Sequence, residues 1–118
     1  MPPTAVVVDD HGDFRALASE LLGDVGYQVV GSYADGRTAI AALAGLMPDL
    51  VLLDVQLPDL DGFAVCGELD ARLTARVVLV STREEADYGQ RVRRSRAAGF
   101  IGKADLSRSS LAALVGPL

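Results

Sequence analysis

Short apolar runs alternate along the chain with stretches in which apolar residues recur every three or four positions. A short run of apolar, often β-branched residues is typical of a buried strand, and the longer spacing is typical of one face of a helix. The runs predict strands at residues 5–8, 28–31, 50–53, 77–80 and 99–102. The spacing predicts helices at residues 14–25, 39–47, 63–69, 84–98 and 106–115.

This strict alternation of strands and helices predicts an α/β fold. Consecutive β-then-α units form a parallel sheet with right-handed connections and helices on both faces. The run at 50–53 has no polar alternation, which indicates a strand buried on both faces in the middle of the sheet. Because 118 residues are the usual size of one domain and no linker or repeat interrupts the pattern, we expect a single domain over residues 1–118.

The amino-acid composition is typical of a globular chain and argues against several classes of function. Half of the residues are hydrophobic and 23% are charged, which is not the composition of a disordered chain. The net charge of -5 argues against general binding to nucleic-acid phosphates. A single cysteine, Cys66, excludes an internal disulfide, and no apolar run approaches the ~18 residues of a membrane span. The N-terminus has no signal-peptide pattern, so we expect a cytoplasmic protein that does not contact a membrane.

Polar and charged residues stand at the ends of four predicted strands. They are Asp9 and Asp10, then Asp54, then Ser81 and Thr82, and finally Lys103. A polar residue at the end of any one strand has an ordinary structural explanation. In open parallel sheets, however, ligands bind beyond the carboxyl ends of the strands, and these residue types are chemically complementary. Together they predict a functional site at one edge of the sheet.

The three carboxylates predict a site for a hard cation. Two unit charges about 4 Å apart repel by about 4 kcal/mol at an effective dielectric near 20, so such a cluster must take up protons or bind a cation. Carboxylate oxygens favour Mg²⁺, or Mn²⁺, over zinc, and the only histidine, His11, offers no zinc-binding spacing. Since Mg²⁺ bound in this way usually also holds a phosphate, the charge of Lys103 and the hydroxyl of Ser81 fit phosphoryl oxygens.

The same residues favour an aspartate that itself accepts a phosphoryl group. The chain has neither of the glycine-rich patterns that cradle nucleotide phosphates, which argues against a bound nucleotide. What remains is formation of an aspartyl phosphate, and the predicted middle strand ends at Asp54. Asp54 is therefore the predicted nucleophile, with Mg²⁺ and Lys103 stabilising the charge of the transfer.

Four segments carry a resemblance to the receiver domains of two-component response regulators. They are residues 6–11 (VVVDDH), 50–62 (LVLLDVQLPDLDG), 78–82 (VLVST) and 99–106 (GFIGKADL). The pattern D-x-x-x-P-x-x-x-G in the second segment is the most specific, and the resemblance covers essentially the whole chain. It implies a flavodoxin-like, doubly wound (βα)5 fold with strand order 2-1-3-4-5. It also implies a phosphoacceptor signalling domain that assists its own phosphorylation and dephosphorylation rather than an enzyme.

The resemblance assigns a role to each residue at the sheet edge. It implies that Asp54 is the phosphoacceptor, that Asp10 binds the metal directly and that Asp9 acts mostly through water. The backbone carbonyl of Gln56 would complete the metal ligands. Lys103 would pair with the phosphoryl group.

The remaining roles concern how phosphorylation changes the protein. Ser81 would hydrogen-bond the phosphoryl group and Phe100 stands where the family places a rotating aromatic side chain. Thr82 stands where a small residue lines the access to the phosphoryl group. We therefore expect phosphorylation to alter the surface around the fourth and fifth strand-helix units.

The resemblance also implies partners outside the chain. A sensor histidine kinase or phosphotransfer protein would supply the phosphoryl group, and a phosphorylation-dependent homodimer is a further expectation. DNA would be bound only through an output domain, which this chain does not contain. Whether the chain acts alone or is a part of a longer regulator stays open, as do the kinase and the regulated process.

Two other functions fit the chain's residues less well. An aspartate-nucleophile phosphatase or phosphotransferase usually has a second aspartate two residues after the nucleophile, where this chain has Gln56. A flavin- or nucleotide-binding domain of the same topology needs a phosphate cradle after the first strand, where Asp9 and Asp10 would repel phosphate. The arginines between Arg91 and Arg96 have no aromatic neighbours in the sequence, so they indicate a solvated or partner-facing helix rather than a nucleic-acid site.

Overall fold

The computed structural model describes residues 2–72, 74–95 and 97–115. Within that part of the chain the strands are β1 Thr4–Val8, β2 Gln28–Tyr33, β3 Leu50–Asp54, β4 Arg76–Ser81 and β5 Gly99–Gly102. The helices are α1 Gly12–Asp24, α2 Gly36–Leu46, α3 Gly62–Arg72, α4 Arg91–Arg94 and α5 Arg108–Val115. Two short 3-10 helices, Glu85–Tyr88 and Lys103–Asp105, precede α4 and α5.

The strands form one parallel sheet in the order β2-β1-β3-β4-β5, which confirms the predicted doubly wound fold. Successive side chains of a strand point to opposite faces, so alternate residues of β1 and β3 enter two different cores. Val7 and Leu52 pack with α1 and α5, whereas Val8 and Leu53 pack with α2 and α3. All five residues of β3 are buried, as expected for the middle strand. None of the described helices is long and apolar enough to cross a membrane.

The continuous helix predicted at 84–98 is wrong. Residues Glu85–Tyr88 form a 3-10 helix that ends at Gly89, where φ is 58° and the chain leaves the helical region. The α-helix that follows has only four residues, and Val92 is its one buried residue. Because this segment has few apolar residues to bury, nothing in its pattern maintains a longer helix.

The other helices also begin one to three residues away from their predicted starts. Helix α1 begins at Gly12 rather than at 14, and its N-cap residue is His11, whose side chain makes no capping hydrogen bond. Helix α5 begins at Arg108 rather than at 106, because the backbone of Leu106 is extended after the 3-10 turn Lys103–Asp105.

Gly62 fixes the loop that joins β3 to α3. Its N–H donates to the carbonyl oxygen of Val55 at 2.7 Å, and a Cβ at this position would overlap the backbone of Asp54 and Val55. We expect Gly62→Ala to lower the free energy of unfolding by roughly 1–3 kcal/mol, the usual cost of forcing extra atoms into a packed site. In the same helix, a Cβ at Gly67 would meet no atom within 4 Å. Gly67→Ala is therefore the matched control, and urea unfolding should show it stabilised by roughly 0.5–1 kcal/mol.

Candidate functional site

The carboxyl ends of β1 and β3 bring four side chains together at one edge of the sheet. Asp9, Asp10 and His11 follow β1, and Asp54 ends β3. One ligand atom from each lies within 4.8 Å of the others. Asp9 is fully buried and Asp54 is 3% exposed, whereas Asp10 and His11 are exposed. The cluster therefore has a buried inner pair of carboxylates and an open outer side.

Lys103, just beyond β5, extends into this cluster. Its Nζ lies 2.6 Å from Oδ2 of Asp9 and 3.4 Å from Oδ2 of Asp54, and it also lies 4.6 Å from the centre of the Phe14 ring. Lys103 donates a hydrogen bond to Asp54. The closer contact with Asp9 is an ion pair without hydrogen-bond geometry, so Oδ2 of Asp9 is buried and accepts no hydrogen bond from the described residues.

Burial and charge act on Asp54 in opposite directions. Burial is the main cause that raises the pKa of Asp54 to about 6, and the nearby carboxylate of Asp9 raises it further. The N–H of Gln56, which donates to Oδ1 of Asp54 at 3.1 Å, and the charge of Lys103 lower it. One ammonium group therefore does not fully compensate the buried carboxylates, and Asp54 is ionised at neutral pH at a cost to the fold.

Asp54→Asn is expected to stabilise the fold when no metal is present. A carboxyl whose pKa is raised from 3.8 to about 6 destabilises the folded state as the pH rises through that interval. Allowing for solvent screening, we expect the free energy of unfolding to increase by roughly 1–2 kcal/mol at pH 7. Urea unfolding in a chelator should show the gain at pH 7 and none below about pH 4. An equal gain at both pH values would contradict the electrostatic explanation.

The donor set of the cluster fits a hard divalent cation. Asp9, Asp10 and Asp54 offer carboxylate oxygens, which Mg²⁺ prefers, and the buried Oδ2 of Asp9 accepts no hydrogen bond from the part of the chain that the structure describes. The His11 imidazole lies 3.2 Å from Oδ1 of Asp9 and 3.1 Å from Oδ1 of Asp10. Gln56, the predicted carbonyl ligand, lines the same cleft.

The cleft over the cluster has a volume of about 260 Å³ and is open to solvent. Its lining residues come from four strand ends and from the β3–α3 loop; they are Asp10, His11, Asp54, Gln56, Leu57, Pro58, Thr82 and Lys103. Thr82 therefore lies where the sequence predicts a residue that borders the access route. The structure thus brings together all the residues predicted for the metal and for phosphoryl binding except Ser81.

Ser81 lies beside the cleft rather than in its lining. Its side chain is buried, and its Oγ lies 2.6 Å from the hydroxyl of Tyr88 and accepts the N–H of Arg83 at 3.0 Å. Phe100 is half-buried on β5, with its ring centre 5.9 Å from that of Tyr88. The two residues predicted to change on phosphorylation are therefore joined through a third, Tyr88, which the sequence did not single out.

The sequence also does not predict the contacts that the β3–α3 loop makes. Asp59 accepts the backbone N–H groups of Gly36 and Arg37 at 2.8 and 2.9 Å, and these hydrogen bonds lower the pKa of Asp59. Asp61 forms an ion pair with Arg91 at 2.6 Å. The Arg91 guanidinium also lies 4.3 Å from the centre of the Phe63 ring, so this arginine is bound within the chain rather than simply solvated. The one sequence feature that could have indicated the contact of Arg91 with this loop is the number of aspartates in the loop.

Comparison with known proteins gives a consistent family. A family model described as the response regulator receiver domain matches residues 5–115. The chain is 38% identical over 105 residues to a protein-glutamate methylesterase/protein-glutamine glutaminase of Symbiobacterium thermophilum, covering 86% of this chain and 29% of that protein. It is 36% identical over 104 residues to the Fimbriae Z protein of Salmonella typhimurium, covering 86% and 50%. The chain thus spans half or less of the length of these curated relatives.

Two solved structures are similar over nearly the whole chain. The signal receiver domain of the putative response regulator NarL from Mycobacterium tuberculosis superimposes with a TM-score of 0.83 at 30% identity, covering 98% of both chains. The beryllofluoride-activated N-terminal receiver domain of RstA from Klebsiella pneumoniae superimposes with a TM-score of 0.86 at 28% identity, covering 97% of both. Both likenesses extend over the edge of the sheet where the acidic cluster lies.

Proposed function

Because the chain belongs to the response regulator receiver domains of two-component systems, we propose that Asp54 is the residue that accepts its phosphoryl group. One observation carries the proposal: Asp54 ends the central strand within reach of both Asp9 and Lys103. A receiver domain is a signalling domain, and we propose that this chain has no further enzymatic activity of its own.

The proposed reaction transfers a phosphoryl group to a carboxylate oxygen. An Oδ atom of Asp54 attacks the phosphorus of a phosphohistidine, the P–N bond breaks as the P–O bond forms, and the imidazole leaves with a proton from solvent. Lys103 would offset the negative charge on the phosphoryl oxygens, and Ser81 would donate a hydrogen bond to one of them. The pKa of Asp54, about 6, leaves the nucleophile ionised at neutral pH.

We further propose the ligands of the metal. Asp10 and Asp54 would bind Mg²⁺ or Mn²⁺ directly, Asp9 mostly through water, and Gln56 through its backbone carbonyl. Bound there, the ion would neutralise carboxylate and phosphoryl charge. The convergence of three carboxylates within 4.8 Å of one another supports this assignment, and among the described residues Oδ2 of Asp9 accepts no hydrogen bond and pairs only with Lys103.

The proposed partners follow from the family rather than from contacts of this chain. A sensor histidine kinase or phosphotransfer protein in the cytoplasm would supply the phosphoryl group. Phosphorylation would change the surface around β4, β5, Ser81 and Phe100, and that surface would bind a second copy or a partner. DNA would be contacted only through an output domain outside this sequence.

The test is phosphorylation with a small acyl phosphate in the presence of Mg²⁺. Intact-mass measurement should show one phosphoryl group that is stable to acid, labile to base and absent when the metal is chelated. Reduction with borohydride followed by peptide mapping should place the adduct on Asp54. Continuous release of phosphate from a phosphomonoester, with no adduct on the chain, would instead support the phosphatase alternative.

A further inference from the structure

Among the described residues the hydroxyl of Ser81 has two hydrogen-bond neighbours, and together they limit how its single proton can be used. Its Oγ accepts the N–H of Arg83 at 3.0 Å and lies 2.6 Å from the hydroxyl of Tyr88. A serine hydroxyl has one proton to donate and two lone pairs with which to accept. Arg83 occupies one lone pair, so the contact with Tyr88 uses either the remaining lone pair or the proton.

Burial decides between the two arrangements. Ser81 is 1% exposed, whereas Tyr88 is half-buried and its phenol proton can turn to water. If Tyr88 donated, the buried Ser81 proton would have no acceptor among the described residues, which is costly. Without a phosphoryl group, Ser81 therefore donates to Tyr88.

Given the proposed function, on which this inference rests, we propose that Tyr88 is the positioning residue that holds the Ser81 proton until a phosphoryl group is present. Oxygens of a phosphoryl group on Asp54 are charged acceptors and bind the Ser81 proton more strongly than a phenol does. Tyr88 then turns its own proton to the lone pair of Ser81. The two hydroxyls exchange their roles as donor and acceptor when Asp54 is phosphorylated.

The residues packed against Tyr88 connect this exchange of hydrogen bonds to the elements on either side of it. The Tyr88 ring meets that of Phe63 on α3 edge-on at 5.5 Å and that of Phe100 on β5 at 5.9 Å. Glu84 and Asp87 cap the 3-10 helix that holds Tyr88, and Gly89 ends it. A movement of the phenol would therefore change its packing against both α3 and β5. Phe100 has no hydroxyl, so it would respond only through this packing.

Tyr88→Phe tests this inference because it removes the hydroxyl and keeps the ring. In the resting variant the buried Ser81 proton loses its acceptor, whereas in the phosphorylated variant only a lone pair is left empty. The loss is therefore larger in the resting state. Titration with beryllofluoride and Mg²⁺, followed by backbone amide shifts, should show about three- to tenfold tighter binding than wild type. Unchanged or weaker binding would overturn the proposal.

Two controls separate this effect from altered packing. In a Ser81→Ala background, Tyr88→Phe should change beryllofluoride affinity less than twofold, and additive effects of the two substitutions would contradict the coupling. Tyr27→Phe removes a buried tyrosine's hydroxyl at the opposite edge of the sheet and should leave the affinity unchanged.

A spectroscopic measurement reports the exchange directly. The tyrosine doublet in ultraviolet resonance Raman spectra distinguishes a phenol that accepts from one that donates, and subtraction of the Tyr88→Phe spectrum isolates Tyr88. Beryllofluoride should shift this signal from acceptor to donor in wild type and leave it unshifted in Ser81→Ala. If wild type binds no beryllofluoride, the proposed function fails. If it binds and the Tyr88 signal stays unshifted, only the role of Tyr88 fails.

Discussion

Asp54→Asn is expected to take up no measurable phosphoryl group from a small acyl phosphate in Mg²⁺. The amide is not a nucleophile, and its replacement of a carboxylate also removes one negative ligand from the proposed metal site. Since the same substitution should stabilise the apo fold, the loss cannot be attributed to unfolding. The measurement is the intact mass of the chain over a time course in which wild type is fully modified.

The control for this experiment is an aspartate that lies close by but outside the cluster. Asp13, exposed in the first turn of α1, meets that requirement, and Asp13→Asn should be phosphorylated at the wild-type rate. An adduct on Asp54→Asn that maps to Asp9 or Asp10 would show that the acidic cluster accepts a phosphoryl group without a unique nucleophile. An adduct of equal yield elsewhere would contradict the proposed function.

The fold and the convergence of the acidic residues were both predictable from the sequence, because both follow from a parallel sheet. In a parallel sheet all carboxyl ends lie at one edge, so aspartates that end separate strands must approach one another whatever the details of the loops. The burial of β3 could also be predicted from the sequence, because a strand with no polar position is compatible only with the middle of such a sheet.

What the sequence did not predict depends on contacts that leave no periodic pattern. The spacing after β4 predicts one helix, whereas the structure has a 3-10 helix that ends at Gly89 and holds Tyr88 beside Ser81. A single hydrogen bond between two side chains seven residues apart has no sequence signature. The pairing of Arg91 with Asp61 joins segments thirty residues apart in the same way.

The position of Lys103 was predicted, but its ion-pair partner was not. The sequence pairs Lys103 with a phosphoryl group, and the structure shows its ammonium between Asp9 and Asp54, closer to Asp9. Because a cation would bind to the same carboxylates, Lys103 would compete with Mg²⁺ for them electrostatically. Lys103 is therefore expected to promote phosphorylation of Asp54 and to oppose the binding of Mg²⁺.

Lys103→Met is expected to slow phosphorylation of Asp54 by about 10²- to 10³-fold, the usual loss when a preorganised group that stabilises transition-state charge is removed. The same variant should bind Mg²⁺ at least as tightly as wild type, because Oδ2 of Asp9 no longer faces an ammonium at 2.6 Å. Rates from intact mass and affinities from amide shifts measure the two effects separately. Lys103→Arg keeps the charge and should recover part of the rate. If Lys103→Met lost Mg²⁺ binding as well, Lys103 would be organising the carboxylates rather than competing with the metal for them.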